Sequence, residues 1–343
     1  GKVTVDGASQ IWLADTANNR VLRLPGTSSG IGPAADRVLG QADLTKGALN
    51  RAAAQTLAGP SAVALDRSTN PSRVYVADTF NHRVLGWTDA GALHSGRDAD
   101  LVLGQPNMTT TACDPNNRPT PSSLCLPLDL AVDAEGNVYV AEAASTRLVR
   151  FDRPFETDTI VDLVLGPATF PEVSCGGSPC RLWGLAAGPS GALYVSVSAP
   201  WQIRQLDPPF SDGMSPVRTA NGDAGRLRVG ADGTLYAASI NQHRVLVFDG
   251  DGQEPIDFVP DRVLGQADLA GILCHRGGAP GADTLCSPSG LALSDEGTLY
   301  VSDSNSRILV FRDVANNATG APADGVLGQP DLITVDVPAG PAS

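Results

Sequence analysis

One segment recurs along this chain: an alternating apolar run, a polar turn that ends in arginine, and a second alternating run. Alternation of apolar and polar residues over a few positions is typical of a half-buried β-strand, and two such runs joined by a short polar turn predict a hairpin. The copies are VYVADTFNHRVLGW (74–87), IWLADTANNRVLRL (11–24), VYVAEAASTRLVRF (138–151), LYAASINQHRVLVF (235–248) and LYVSDSNSRILVF (299–311).

The arginine that closes the polar turn gives the period of the repeat. The arginines are Arg20, Arg83, Arg147, Arg244 and Arg307, at spacings of 63, 64, 97 and 63 residues. The long gap indicates a sixth, degenerate copy at 192–207 (ALYVSVSAPWQIRQLD), with Gln202 in the arginine position. The shortest spacing is then 42 residues, which is enough for four strands of about five or six residues with their turns.

The repeat unit predicts the fold. Each copy carries four strand-like segments, such as SGLALS, TLYVSD, RILVFR and a segment that ends in Val-Leu-Gly. Units of this kind shield one another when they stand radially around a common axis. We therefore predict an all-β, six-bladed β-propeller, a closed ring with four antiparallel strands per blade, in a single domain. The approximate blades are 1–57, 58–124, 125–180, 181–222, 223–285 and 286–343.

Each predicted blade is continuous in sequence, which bears on how the ring closes. We expect the last blade to meet the first by packing of their faces and not by exchange of a strand. The segment LITVDV (332–337) is the alternative, since it could add a closing strand.

Segments 74–84 and 11–21 resemble the NHL repeat, whose pattern is Leu-Tyr-Val-Ala-Asp-x-x-Asn-x-Arg-Val. The resemblance extends over nearly the whole chain and implies a propeller. It leaves the function open, because NHL propellers include protein-binding domains, RNA-binding domains and the lyase domain of peptide-amidating enzymes.

The acidic and arginine positions of the repeat have a structural interpretation. An acidic residue after the second strand can accept backbone N–H bonds and fold the turn. Arginine offers five donors in a fixed fork, which can bind carbonyl groups or the turn carboxylate. A ring of arginines that binds an anion is the alternative, but recurrence in every blade favours a structural role. The acidic residues are Asp15, Asp78, Asp303 and, conservatively, Glu142.

Charge and hydropathy narrow the classes of partner. The chain has a net charge of −13, and Lys2 and Lys46 are its only lysines. A nucleic-acid partner is not expected, because its phosphates attract clustered Lys and Arg. No run approaches the roughly 18 apolar residues of a membrane span.

Metal-dependent chemistry finds little support in the sequence. A zinc lyase needs about three converging histidines, and no such set is visible. The inner strands offer no ring of Glu or Asn for a metal on the axis. The acidic loop around 249–257 could hold calcium, but it lacks the spacing of an EF-hand, and a solvated acidic loop is the favoured interpretation. We predict no cofactor, with calcium as the alternative. The histidines are His82, His94, His243 and His275, and the acidic loop contains Asp249, Asp251, Glu254 and Asp257.

Six cysteines fall in three local pairs: Cys113 with Cys125, Cys175 with Cys180, and Cys274 with Cys286. The equivalent junction of the first blade has Leu49 and Ala58 instead, and joint loss is what a bonded pair predicts. Zinc is the alternative, but the spacing is longer than that of zinc knuckles. Disulfides persist outside the reducing cytoplasm.

These cysteine pairs predict an extracellular or cell-envelope protein. The use of arginine in place of lysine suggests a bacterial source. The chain starts at Gly1 without methionine, so we expect that a signal peptide has been removed.

Function is sought where the repeat departs from its pattern. In an up-and-down blade the second-to-third turn and the connection to the next blade lie on one face, which makes that face a candidate binding surface. Blade 4 departs most, with Val197 in the acidic position. Its candidate binding residues are Trp183, Trp201, Arg181 and Arg204. The alternative is that Trp183 packs the core and Trp201 fills the space of the missing arginine.

We predict an exported, rigid binding or scaffold module whose partner is a protein or a glycan. Self-association, as in an extracellular assembly, is compatible with this role. The alternative is a metal-dependent lyase or hydrolase with its site in the central channel.

Overall fold

The computed structural model describes residues 2–25, 34–113, 120–144, 147–165, 181–198, 201–250 and 258–334. Within them, 24 strands form six four-stranded antiparallel sheets, and each sheet consists of four consecutive strands. This confirms the prediction of an all-β, six-bladed propeller. Part of LITVDV, 335–337, lies outside the described residues.

The strands of the first three blades are short, at three to six residues each. They are β1 (Val3–Val5), β2 (Ile11–Asp15), β3 (Arg20–Leu24), β4 (Arg37–Leu39), β5 (Ala62–Asp66), β6 (Arg73–Asp78), β7 (Arg83–Trp87), β8 (Leu101–Leu103), β9 (Pro127–Val132), β10 (Val138–Glu142), β11 (Leu148–Phe151) and β12 (Leu163–Leu165).

The last three blades repeat the same order. Their strands are β13 (Leu182–Ala187), β14 (Leu193–Val197), β15 (Gln202–Leu206), β16 (Arg218–Asn221), β17 (Arg226–Val229), β18 (Leu235–Ser239), β19 (Arg244–Phe248), β20 (Arg262–Leu264), β21 (Gly290–Leu293), β22 (Leu299–Asp303), β23 (Arg307–Phe311) and β24 (Gly325–Leu327). The short 3-10 helices of the described chain are Thr16–Asn18, Thr79–Asn81, Cys274–Gly277 and Val314–Asn316.

Because apolar side chains alternate along a strand, its two faces pack against two different neighbouring blades. On β6, Val74 and Val76 pack in a cluster with blade 1, whereas Tyr75 and Ala77 pack in a cluster with blade 3. All four side chains are fully buried. Each valine contributes about 1.5–3 kcal/mol when it leaves water, so a blade is stable only between two neighbours.

The ring closes by the same packing. The described residues form six buried apolar clusters, and each cluster joins two adjacent blades. One of them places Val3, Val5 and Ile11 of blade 1 against Tyr300 and Val310 of blade 6. Because every sheet is made of consecutive strands, the first and last blades meet face to face, as the sequence predicted.

The Val-Leu-Gly segment ends the fourth strand in a way that only glycine permits. Gly104 has φ +82°, a left-handed conformation that side chains strain, and a Cβ there would lie 2.4 Å from Leu124 Cγ. Gly40, Gly265 and Gly328 have φ between +86° and +89°. The chain therefore turns tightly from the outermost strand into the connection that leads to the next blade.

Candidate functional site

Two kinds of loop form the face that we call the junction face. They are the turns between second and third strands and the connections from a fourth strand to the next blade. The opposite face carries the remaining turns. The junction face holds the repeat's Asp and Arg residues, the disulfides and the aromatic residues of blade 4. The buried ion pairs, glutamine side chains and disulfides that hold its loops in place are called the frame.

The best-buried part of the frame is the ion pair of blade 2. Asp78 and Arg83 are fully buried, and Arg83 Nε lies 2.7 Å from Asp78 Oδ2. The guanidinium also donates to the carbonyl oxygens of Ala53 (3.0 Å), Thr56 (2.9 Å) and Met108. Burial raises the pKa of Asp78, and the charge of Arg83 opposes that rise. Arg83 thus ties the hairpin turn to the connections on both sides of its blade, which favours the structural interpretation over an anion site.

The same arrangement recurs in three other blades. Nε of the arginine lies 2.7 Å from Asp15 in blade 1, 2.6 Å from Glu142 in blade 3 and 3.1 Å from Asp303 in blade 6. The arginines are Arg20, Arg147 and Arg307, and each donates to carbonyl oxygens of neighbouring connections.

Blade 5 obtains its carboxylate from a different place in the chain. Ser239 occupies the acidic position, and its hydroxyl donates to Asp223 Oδ2 at 2.9 Å. Asp223 also accepts the backbone N–H of Asn241 at 2.7 Å. Arg244 donates instead to the side-chain oxygen of Gln242 and to carbonyl groups of the next connection. Alignment of the repeat did not identify Asp223, because it lies in the connection that precedes the blade.

A glutamine follows Val-Leu-Gly in blades 1, 2, 5 and 6, where its side chain bonds to backbone carbonyl groups, a role that the sequence pattern did not indicate. Gln105 Nε2 donates to the carbonyl oxygens of His82 and Ala112, both at 2.9 Å. Gln41 and Gln266 make the equivalent pair of bonds in blades 1 and 5. The signal that could have identified this glutamine is its recurrence at 41, 105, 266 and 329.

The disulfides Cys113–Cys125 and Cys274–Cys286 are present, which confirms two of the three predicted pairs. Cys175 and Cys180 lie outside the described residues. A ring nitrogen of His82 lies within 4.8 Å of the sulfurs of Cys113 and Cys125, and a ring nitrogen of His275 lies within 4.8 Å of those of Cys274 and Cys286. Because these sulfurs are bonded to each other, neither group offers a thiolate for zinc.

Two of the histidines considered as metal ligands make equivalent hydrogen bonds to the backbone. His82 Nδ1 accepts the N–H of Leu126 at 3.2 Å, and His243 Nδ1 accepts the N–H of Ser287 at 3.0 Å. In blade 1 the equivalent residue is Asn19, whose Oδ1 accepts the N–H of Gly59 at 2.9 Å. Each contact holds the residue that follows a cysteine position to the neighbouring hairpin turn. A zinc-binding role for these histidines finds no support in this geometry.

The contact of His82 predicts a pH dependence. Burial lowers the pKa of His82 below 6.5, so the unfolded chain binds a proton at that residue more readily than the folded chain does. Stability from this residue is therefore present above pH 6.5 and falls as the pH drops through its folded pKa. We expect wild type to lose more stability than His82→Asn between pH 7 and 5, by about 0.5–1.5 kcal/mol, the net worth of one hydrogen bond.

Thermal melts at several pH values measure this difference. Asparagine keeps an acceptor, as Asn19 shows, but does not titrate. His94→Asn is the control because His94 is exposed, and it should keep the wild-type dependence. Equal slopes for wild type and His82→Asn would contradict the prediction.

The structure brings together two of the four residues proposed for blade 4. The rings of Trp183 and Trp201 lie 6.0 Å apart at 35°, and both are partly exposed. A register shift between Leu182 and Gly184 makes Trp183 the extra residue of a β-bulge. A bulge changes the direction of a side chain. The two tryptophans lie at the junction-face ends of β13 and β15, next to the loops of that face.

The two arginines proposed for blade 4, Arg181 and Arg204, have different contacts. Arg204 donates to Oε1 of Gln202, at 3.1 Å from Nη2, so it bonds to the residue in the position of the repeat arginine. Arg181 is exposed, and its carbonyl oxygen accepts the N–H of Ser198 at 3.0 Å.

Large exposed apolar residues are concentrated on the junction face. Among the described residues, nine large apolar side chains are at least 40% exposed. Three of them lie in third-to-fourth-strand turns on the opposite face: Ile160, Val217 and Val259. Six lie on the junction face: Leu49, Phe80, Leu269, Ile272, Leu273 and Ile333. These six come from blade 2's turn and from the connections that follow blades 5, 6 and 1, which are neighbours around the ring.

The acidic loop, for which calcium was the alternative interpretation, lies mostly outside the described residues. Asp251, Glu254 and Asp257 fall there. Asp249 accepts bonds from Arg262, with Nε at 3.0 Å from Oδ2, so this carboxylate is already paired. Within the described parts of the chain, no helix is long and apolar enough to cross a membrane.

Comparison with known proteins agrees with this architecture. Residues 285–311, which contain β21, β22 and β23, match the NHL repeat family. Curated proteins gave no match. Among solved structures, the chain is similar to the β-propeller domain of Cps50 (Swd1) from Myceliophteria thermophila, with 11% identity and a TM-score of 0.56. That likeness covers 96% of this chain and 86% of the other.

A second similar structure is the WD40 β-propeller domain of Doa1, with 10% identity and a TM-score of 0.52. The likeness covers 96% of this chain and 83% of the other. At such identities these structures show the fold alone.

Proposed function

We propose that this chain, a six-bladed β-propeller built of NHL repeats, is an exported and rigid module that binds a partner protein on its junction face. The observation that carries the proposal is the concentration of exposed Leu, Ile and Phe side chains on that face. Large apolar side chains that gather on one exposed face are typical of a protein-binding surface.

The frame beneath these side chains supports the proposal. Buried Asp–Arg pairs, glutamine braces and two disulfides hold the connections in place. A rigid surface loses little conformational entropy when it binds. The partly exposed pair Trp183 and Trp201 adds residues of the type that dominate protein interfaces.

A protein is favoured over a glycan because of the chemistry of these residues. Leu49, Phe80 and Leu273 offer no hydrogen-bonding groups to sugar hydroxyls, whereas an apolar patch of a protein would cover them. A second copy of the chain is one such protein. Export is favoured because disulfides persist in oxidising compartments.

The alternative of a metal-dependent lyase or hydrolase receives less support. Asp129 is a fully buried carboxylate next to Leu130, which lines the channel, and Lys2 and Arg226 both approach it, at 2.6 and 3.4 Å. A carboxylate that is already paired with two cations is a poor ligand for a metal ion.

Site-specific photo-crosslinking tests the binding face. A benzoylphenylalanine replaces Phe80, which is 63% exposed on the junction face, and in a matched protein it replaces Ile160, which is 49% exposed on the opposite face. Both proteins are irradiated with the extracellular fraction of the source cells, and adducts are identified by mass spectrometry. We expect a discrete protein adduct from position 80 only.

Competition makes the result specific. Excess unlabelled wild type should suppress the adduct, whereas the triple variant Leu49→Ser, Phe80→Ser, Leu273→Ser should compete at least tenfold less well. An adduct of two copies of the chain that obeys the same competition supports the proposal with self as partner. Equal labelling from both positions, or equal competition by the triple variant, would overturn it.

A further inference from the structure

The centre of the ring contains a small cavity whose wall is positively charged. Its volume is about 130 Å³, and the first strands of five blades line it. Small residues leave this space: Ala64, Ala131 and Ala186 face it from three blades. The charged residues of the lining are Lys2 from blade 1 and Arg228 from blade 5.

The carboxylate of Asp129, which lies next to this cavity, already has several partners. Asp129 is completely buried, and its Oδ1 lies 2.6 Å from Lys2 Nζ. Its oxygens also accept the N–H groups of Leu130 (2.8 Å) and Leu185 (2.9 Å). Arg226 Nη1 approaches at 3.4 Å.

Arg228 adds a positive charge that no described carboxylate pairs with. Its guanidinium donates to the carbonyl oxygens of Val3 and Leu227, both at 3.0 Å. Arg67, whose charge also acts on Arg228, already pairs with the exposed Asp295. Three cations, Lys2, Arg226 and Arg228, therefore face one carboxylate in the interior of the ring.

Burial is the main cause of low pKa values in the wall, and repulsion between the cations adds to it. Burial, and then the charge of Arg228, lower the pKa of Lys2 to about 7. Burial lowers the pKa of Arg228 to about 10; the charge of Asp129 opposes this change, and the charges of Arg226 and Arg67 add to it. A bound anion would stabilise the charged forms of these two buried side chains.

We propose that the axial cavity binds one small oxyanion, of the size of sulfate or phosphate, between the ammonium of Lys2 and the guanidinium of Arg228. The guanidinium presents donors suited to the oxygens of such an anion. The volume of about 130 Å³ accommodates an inorganic oxyanion or a short carboxylate. This site is independent of the junction face and of the function proposed for it.

Isothermal titration calorimetry with sulfate tests the site, because sulfate does not change its charge between pH 6 and 8. We expect one sulfate per chain in wild type and affinity at least tenfold lower in Arg228→Gln. Arg51→Gln removes an exposed arginine of the junction face and should bind as wild type does. Acetate in place of sulfate shows whether a carboxylate is also accepted, and binding of either anion that depends on Arg228 supports the proposal.

A pH series on wild type gives a second test that needs no variant at position 228. Lys2 is protonated below its pKa of about 7, so sulfate should bind more tightly at pH 6 than at pH 8. The charged groups that face Lys2 are Asp129, Arg226 and Arg228; the pKa of Asp129 is lowered from its ordinary value, and that of Arg228 is about 10. Lys2→Met should abolish the dependence. Absence of anion binding to wild type, or equal affinity in Arg228→Gln, would overturn the proposal.

Discussion

Substitution of Asp129 by alanine should lower the free energy of unfolding by about 3–5 kcal/mol, because it leaves buried cations without their counter-charge. The carboxylate is fully buried and lies 2.6 Å from Lys2 and 3.4 Å from Arg226. It also satisfies the backbone N–H groups of Leu130 and Leu185. Urea unfolding followed by tryptophan fluorescence measures the loss as a lower midpoint.

Two comparisons isolate the cause. Asp295→Ala removes a carboxylate that also pairs with an arginine but is 65% exposed, so its loss should be at most about 1 kcal/mol. Adding Lys2→Met to Asp129→Ala removes one unpaired cation and should recover part of the loss. A midpoint for Asp129→Ala as close to wild type as that of Asp295→Ala would show that the channel charges do not interact as described.

Substitution of Arg83 by alanine should lower the free energy of unfolding by a similar amount, about 3–5 kcal/mol, because the carboxylate of Asp78 is then buried and unpaired. Asp78 and Arg83 are both fully buried, and three backbone carbonyl groups lose their donor as well. The pKa of Asp78, which burial already raises, should rise further. Urea unfolding at pH 7 and 5 measures both effects.

Arg83→Lys separates charge from geometry at this site. Lysine keeps the charge, but its single ammonium cannot reach the carboxylate and the separate carbonyl groups at once, so we expect a loss between those of wild type and Arg83→Ala. Arg97→Ala is the matched control, because Arg97 pairs with Asp100 at the surface and should contribute at most about 1 kcal/mol. Full stability of Arg83→Lys would show that charge alone matters.

The local elements of the blades could be predicted from short segments of sequence. VYVAD and RVLGW became β6 and β7 almost residue for residue, because alternation of apolar residues is a local property of a strand with two faces. The pairing of Cys113 with Cys125 and of Cys274 with Cys286 was also local, since each pair belongs to one connection.

Contacts across the ring could not be predicted in this way. Asp223 replaces the turn carboxylate of blade 5 from another element, and a repeat alignment compares equivalent positions only. Trp183 needed a bulge to reach Trp201, and a bulge depends on how two strands pair. The cysteine spacing did not reveal that His82 accepts the N–H of Leu126.

The sequence by itself determined the number of blades, the strands of each blade and two of the disulfides, because periodic apolar residues and local cysteine pairs act over tens of residues. Only the tertiary structure decided which charges meet on the axis and which side chains share the junction face. Lys2 and Asp129 belong to different blades and meet only when the ring closes. Their interaction depends on distance and burial in three dimensions, which no spacing along the chain records.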